Sequence, residues 1–341
     1  MNNFIISDGV LKKYAGKNKY VEVPNGVTKI GYRAFYNSNV KSVVLPSSVK
    51  IIDGSAFEHC DNLSNINLSF VEEIGENAFS FTKKLKTLVL DGAIKRVKDS
   101  AFYGSNGIKR VYISKTVEEI GSDAFTACES LIDITVSSEN KNYKSVAGCL
   151  YNKNLTTLIQ YPLAKRQKTF KVLSTVENIF VRAFLKLKNV SRFTVEKGNK
   201  NYKAKNGNLY SKNLKTVIRY AVGKAEKVLT VDKFITNIGD FAYESANNLT
   251  SVTILNNVKS VSFGAFLECK NLKSVTITEG VKKIGKIAFA FCDSLEVGII
   301  PNSVEYIESD AFEDSYATLK VVKYSYSHNY AEENDFDFEI V

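Results

Sequence analysis

Nucleophilic catalysis needs a nucleophile beside a base, and this chain offers few bases. Its 341 residues include two histidines, His59 and His328, and five cysteines, Cys60, Cys128, Cys149, Cys269 and Cys292. No Cys-x-x-Cys pair occurs, so the spacing supports neither a zinc site nor a disulfide framework. The acidic run Glu332, Glu333, Asp335, Asp337 and Glu339 lacks the glycine-centred spacing of a calcium loop and reads as a solvated face. No phosphate-cradling glycine loop appears, because the Ile-Gly pairs recur with a period and belong to turns. The residues predict no catalytic centre, no metal site and no cofactor; the chemistry on offer is that of binding.

Charge carries that chemistry. The chain has a net charge of +10, unevenly spread. From Ser137 to Val231 there are 20 lysines and arginines against 4 glutamates and no aspartate, a local +16. The rest of the chain has 26 against 32, or −6. The basic residues include Lys141, Lys144, Lys165, Arg166, Lys168, Lys200, Lys203, Lys205, Lys212 and Arg219. Tyr143, Tyr151, Tyr161, Tyr202, Tyr210 and Tyr220 are interleaved with them. Two readings stay open. One is a pair of strands edged with lysine against edge-to-edge pairing. The other is a patch for an anionic polymer, with aromatic faces for sugar rings or bases. Its candidates are Lys141, Tyr143, Lys144, Lys200, Tyr202, Lys203 and Arg219. No nucleic-acid motif accompanies them, so the expected partner is a protein or an acidic glycan rather than a nucleic acid.

The elements that must position these side chains are legible as a repeat. Ala-Phe recurs at Phe35, Phe57, Phe79, Phe102 and Phe125, at Phe184, as Ala242-Tyr243, and at Phe266, Phe289 and Phe312. Most intervals are 22 or 23 residues, a period that means a stack of identical supersecondary units. Within a unit, Leu272 is followed by Val275 and Ile277, whose alternation is that of a short strand. A turn follows, then a second apolar pair such as Val281 and Ile284. Three residues after the aromatic stand Ser38, Cys60, Thr82, Ser105, Cys128, Leu187, Ala246, Cys269, Cys292 and Ser315. Four cysteines are therefore small buried fillers of one column, and His59 lies at a coil turn. The outward strand positions form a central column of Val44, Asn67, Val89, Tyr112, Thr135, Thr194, Thr253, Thr276, Ile299 and Lys323. A neighbouring column holds Lys41, Lys86, Lys109, Lys273 and Lys320. This face is either solvated sheet rich in β-formers or a ligand surface, with Lys86, Lys109, Tyr112 and Lys273 as candidates.

"LKSVTITEGVKKIGKIAFAFCDSL", Leu272 to Leu295, resembles the unit of the BspA-like leucine-rich repeat family, and the resemblance runs from about Val21 to Tyr324. It implies a right-handed curved β-rich solenoid with a parallel concave sheet. It also implies a non-catalytic binding or adhesion role toward a protein or glycan, commonly at a microbial cell surface, and it supplies no catalytic residue. An intracellular interaction scaffold is the alternative. "MNNFIISDGV" lacks the basic and apolar regions of a signal peptide, and no apolar stretch is long enough to span a membrane.

The repeat breaks twice. Phe125 to Phe184 and Phe184 to Tyr243 are each 59 residues. "NKNYKSVAGCLYNKNLTTLIQY" from Asn140 matches "NKNYKAKNGNLYSKNLKTVIRY" from Asn199, so one inserted unit is used twice. Its core reads as strand, tight turn, strand, and the N-terminal "DGVLKKYAGKNKYVEVPNGVTKIGYRAF" reads as a shortened third copy. The expected organisation is a single solenoid domain over residues 1–341. A cap covers 1–30, repeats fill 31–136, repeats with the two inserted hairpin units fill 137–231, and repeats fill 232–324. The atypical C-terminal cap, 325–341, has a short helix around Tyr330 to Asn334 and a strand from Phe336 to Ile340.

Overall fold

Phe57 lies face to face with Phe79, ring centroids 5.1 Å apart and planes within 4°. The file continues from Tyr14 through Phe35, Phe57, Phe79 and Phe102 to Phe125, with steps of 4.8 to 5.9 Å. A second file runs from Tyr243 through Phe266 and Phe289 to Phe312 at 4.8 to 5.1 Å. Every phenylalanine in these files is buried, as the repeat register requires. The computed structural model describes residues 3–341. They form two compact units, 3–165 with Asn178–Leu185, and Arg166–Glu177 with Lys186–Val341.

Each unit is a β-solenoid whose coils contribute a longer strand and a two-residue strand. The longer strands alternate exposed and buried residues: Thr87 and Val89 face out, Leu88 and Leu90 face in. Coils stack in parallel register, so that Val252 lies beside Val275 and Ile254 beside Ile277. Like packs on like, and the apolar columns become continuous ladders. Turns fall two residues before and two after each aromatic. They use left-handed backbone even at non-glycine residues such as Asn77 (φ 54°) and Phe81 (φ 60°). Glycine is needed at two of these stations. A Cβ on Gly104 or Gly264 would stand 2.8 or 2.7 Å from the ring of Phe81 or Phe241 in the adjoining coil.

The small-residue column does more than fill space. The Cys128 thiol donates to the Phe102 carbonyl at 3.1 Å, Cys60 to Phe35 at 2.9 Å, Cys269 to Tyr243 at 3.2 Å and Cys292 to Phe266 at 3.3 Å. The hydroxyls of Ser105 and Ser315 make the same bond to Phe79 and Phe289, each at 2.7 Å. At most of these stations the small donor gives the buried carbonyl a second partner beside the N–H three residues on, as at Phe35, Phe102, Tyr243 and Phe266.

Each insertion holds three antiparallel strands, one more than the sequence reading allowed. They are Tyr143–Val146, Cys149–Asn152 and Thr157–Gln160 in the first, and Tyr202–Lys205, Asn208–Ser211 and Thr216–Arg219 in the second. The additional strand comes from the polar "NYKSV" and "NYKAK" stretches, which lack an apolar alternation. Ala147-Gly148 and Asn206-Gly207, both residues with positive φ in each pair, close the first hairpins. Asp8-Gly9 closes the N-terminal hairpin of Phe4–Ser7 with Val10–Tyr14 in the same way, as the third-copy reading expects. Asn140 fixes the first insertion to the adjoining coil: its amide donates to the carbonyls of Ser114 and Val117 and accepts from the N–H of Asn142 and Tyr143. Asn199 repeats all four bonds with Leu173, Val176, Asn201 and Tyr202. Each hairpin begins a new sheet of two-residue strands.

At the C-terminus the helix spans Tyr326–Glu333, earlier than expected, because Ser325 caps its N-terminus by accepting from the His328 N–H. The last strand is Phe338–Ile340, parallel to Thr318–Val321. Ile299 lies opposite Lys320. The central column therefore ends on Lys320, and Lys323, assigned there from the sequence, lies outside it.

Candidate binding surfaces

Two surfaces carry the candidate residues. On the insertions, Lys141, Lys144, Lys200 and Lys203 are exposed, and among the described residues no carboxylate pairs with any of them. Much of the remaining basic charge is occupied. Arg182 pairs with Asp123 at 3.0 Å, Lys171 with Glu196 at 2.8 Å, and Lys186 with Glu268. The ammonium groups of Lys153 and Lys212 donate to the carbonyls of Asn140 and Asn199.

Arg219 is not a surface residue. It is 3% exposed, and its guanidinium meets the Glu244 carboxylate at 2.7 Å and donates to the Phe241 carbonyl. Tyr151, Tyr161, Tyr210 and Tyr220 are buried, so they offer no ring face to a sugar or a base. The Tyr143 ring is half-buried; its hydroxyl accepts the Ile120 N–H at 2.7 Å, and burial raises its pKa. Tyr202 is half-buried as well. The insertions thus present lysines without the aromatic platform that the sequence suggested.

The second surface is the outward face of the longer strands. In the first unit Val44, Val89 and Tyr112 are 49%, 42% and 38% exposed. Arg110, two residues before Tyr112 on the same face, is exposed together with Lys86 and Lys109, and among the described residues none of the three makes an ion pair, although Asp133 lies opposite Arg110 on the next strand. The sequence reading passed over Arg110, although strand alternation marks it. In the second unit the same positions carry Thr230, Thr253, Thr276 and Ile299, and Lys273 is paired with Glu296 at 3.0 Å. The first face carries Val44, Val89 and Tyr112 in its central column where the second carries mostly threonine; exposed cations flank both, Lys168, Arg192 and Lys227 on the second.

The cysteines are poor nucleophiles. Burial pushes the Cys60 thiol up to about 11 and those of Cys128, Cys149 and Cys292 up to about 12, and it raises Cys269 well above the ordinary thiol value. Among the described residues no three His, Cys, Asp or Glu side chains stand together as a metal site. No helix among them is long and apolar enough to cross a membrane.

Stacked coils with leucine, valine and isoleucine ladders and one aromatic file define a leucine-rich repeat β-solenoid. The model of the BspA type leucine rich repeat region matches residues 5–132, 69–162, 105–220 and 225–339, and the chain belongs to this family. A leucine-rich repeat protein from Eubacterium ventriosum is similar at 26% identity with a TM-score of 0.64, over 90% of this chain and 88% of its own. A leucine rich cell surface protein from Faecalibacterium prausnitzii aligns at 22% identity and a TM-score of 0.45, over 95% of this chain and 93% of its own. The pneumococcal vaccine antigen PcpA aligns at 15% identity and a TM-score of 0.48, over 100% of this chain and 98% of its own. No curated protein matches in sequence.

Proposed function

We propose that this chain is a non-catalytic binding module that holds a protein partner on the outward sheet face of its first unit, at a microbial cell surface. The exposed row of Val44, Val89 and Tyr112, flanked by the unpaired Lys86, Lys109 and Arg110, carries the reading. Aromatic and aliphatic side chains beside arginine are the composition of interface hot spots. The cell-surface location follows the family resemblance and belongs to the proposal. An intracellular scaffold would use the same face, and protease accessibility of the protein on intact cells separates the two.

The test replaces Val89 with a photo-crosslinking residue and, as a control, Glu76 away from the sheet face. Each variant is irradiated with fractionated surface proteins and glycans. A protease-sensitive adduct from position 89 and none from position 76 is expected. Equal adducts from both positions, or a glycan adduct alone, overturn the reading. A second reading, polyanion binding, is favoured by the four free lysines of the insertions and is tested by their charge reversal.

A further inference from the structure

The sheet face of the first unit is interrupted at one place. Tyr20–Glu22, Ser42–Val44 and Asn65–Ile66 form one sheet, and Thr87–Leu90, Arg110–Ile113 and Asp133–Val136 form another. Asn65–Ile66 and Thr87–Leu90 lie in consecutive coils yet do not pair. Elsewhere the first amide of each strand step bonds the carbonyl one coil back: Ser64 to Lys41 at 2.9 Å, Lys109 to Lys86 at 2.8 Å, Ile132 to Lys109 at 2.9 Å. The corresponding bond from Lys86 to Ser64 is missing. Between the two strands opens a cleft of about 290 Å³.

The opening is built, not loose. On the other side of the same two coils the ladder is intact. Glu73 lies beside Arg96 and Ile74 beside Val97, and the Arg96–Glu73 ion pair closes at 2.6 Å. Phe79 and Phe102 stack at 5.2 Å, and the Phe79 N–H reaches the Ala101 carbonyl at 2.7 Å. The coils are therefore in contact along one side and apart along the other. Asn67 belongs to the ladder with the preceding coil. Its carboxamide accepts the Leu45 N–H at 2.7 Å and donates to the Leu45 carbonyl at 2.9 Å. A side chain completes the ladder where a peptide group normally does, and the strand ends at Ile66.

We propose that this cleft is a socket for one apolar side chain of an extended, acidic segment of a partner protein. The inference rests on the sheet-face reading above and names the chemistry of the partner. The floor is apolar: Leu68, Leu85 and Leu88 are 7%, 6% and 4% exposed, whereas Val43 and Val111 beneath paired strands are 0% and 2%. The volume lies at the lower limit of small-molecule pockets, roughly 300 Å³, and suits a single side chain. The unmade bond leaves the Ser64 carbonyl and the Lys86 N–H at the rim for the main chain of an extended segment. Lys86, Lys109 and Arg110 make no ion pair among the described residues and outnumber the two nearby carboxylates, Asp91 in the cleft lining and Asp133 opposite Arg110, so acidic residues flanking the inserted side chain are complementary to them.

The probe is a fluorescein-labelled Glu-Glu-Phe-Glu-Glu peptide, followed by anisotropy against the full chain at low salt. Saturable binding is expected. Thr87→Trp places a bulky ring at the exposed mouth and should weaken Kd at least tenfold, while Thr276→Trp, on the second unit's face, should leave it unchanged. Arg110→Glu should weaken this peptide and strengthen its Lys-Lys-Phe-Lys-Lys counterpart. Absence of saturable binding to the wild type, equal binding by Thr87→Trp, or no charge dependence at Arg110 overturns the socket. If the crosslink from Val89 to a protein partner persists in Thr87→Trp, the socket fails while the sheet-face reading stands. Loss of that crosslink from the otherwise native chain defeats both.

Discussion

Arg219 and Glu244 form an ion pair of 2.7 Å with their side chains 4% and 0% exposed. Glu244 also accepts from the Ser245 hydroxyl and the Lys186 N–H, so both charges are held within a network. Fifty-nine residues earlier the equivalent positions are Gln160 and Leu185. One fold thus fills the same place with an ion pair or with an uncharged pair. Glu244→Leu should strand a buried cation and cost about 3–5 kcal/mol. Arg219→Gln with Glu244→Leu, the pair of the first insertion, should recover most of that loss. Urea unfolding of the three proteins measures it, and a double variant as weak as the single one would refute the equivalence.

The buried thiols make stability fall at alkaline pH. An unfolded thiol ionises near pH 8.5, whereas Cys60 stays neutral to about 11 and Cys128 and Cys292 to about 12. Below the unfolded value both states keep the proton and the full contribution stands. Above it the unfolded chain sheds protons that the folded chain retains, so stability declines from about pH 8.5 toward 11. Replacing Cys60, Cys128, Cys269 and Cys292 by serine keeps the donor, as Ser105 and Ser315 do, and should flatten the decline. Parallel slopes for the two proteins would contradict this. Thiol reagents at pH 8 should label none of the four until denaturant is added.

Ile287 occupies a left-handed turn station at φ 46°, where a β-branched side chain is strained. The same station holds Asn77, Ser100, Asp123 and Gly264 in other coils. Ile287→Asn should raise stability by about 1 kcal/mol, read as a higher melting temperature. A lower one would mean that the packing of the isoleucine outweighs its backbone strain.

Reversal of Lys141, Lys144, Lys200 and Lys203 to glutamate tests the polyanion reading on a heparin column. Exposed charges act over a Debye length of roughly 8 Å at physiological salt. The variant should elute at lower salt than the wild type, and Arg219→Gln should not shift because that charge is sealed in the core. Co-elution of wild type and quadruple variant would remove these lysines from any binding site.

The columns were legible because each coil poses the same packing problem and the sequence answers it with the same residue. Arg219 was not, because its partner Glu244 is 25 residues away and nothing in the repeat marks that position as the site of an ion pair. The tyrosines did carry a signal. Tyr161 and Tyr220 stand 23 residues before Phe184 and Tyr243, which places them in the aromatic file rather than on a surface. The interrupted sheet had no such mark: Asn67 occupies an outward position where asparagine is ordinary, and only the direction of its carboxamide makes it different.

The sockets of Asn140 and Asn199 are interchangeable, since each asparagine finds two carbonyls and two amides in the same arrangement. Length in this protein is therefore modular. A crossover between the two copies would delete or duplicate a 59-residue cassette and leave a chain whose joints already exist.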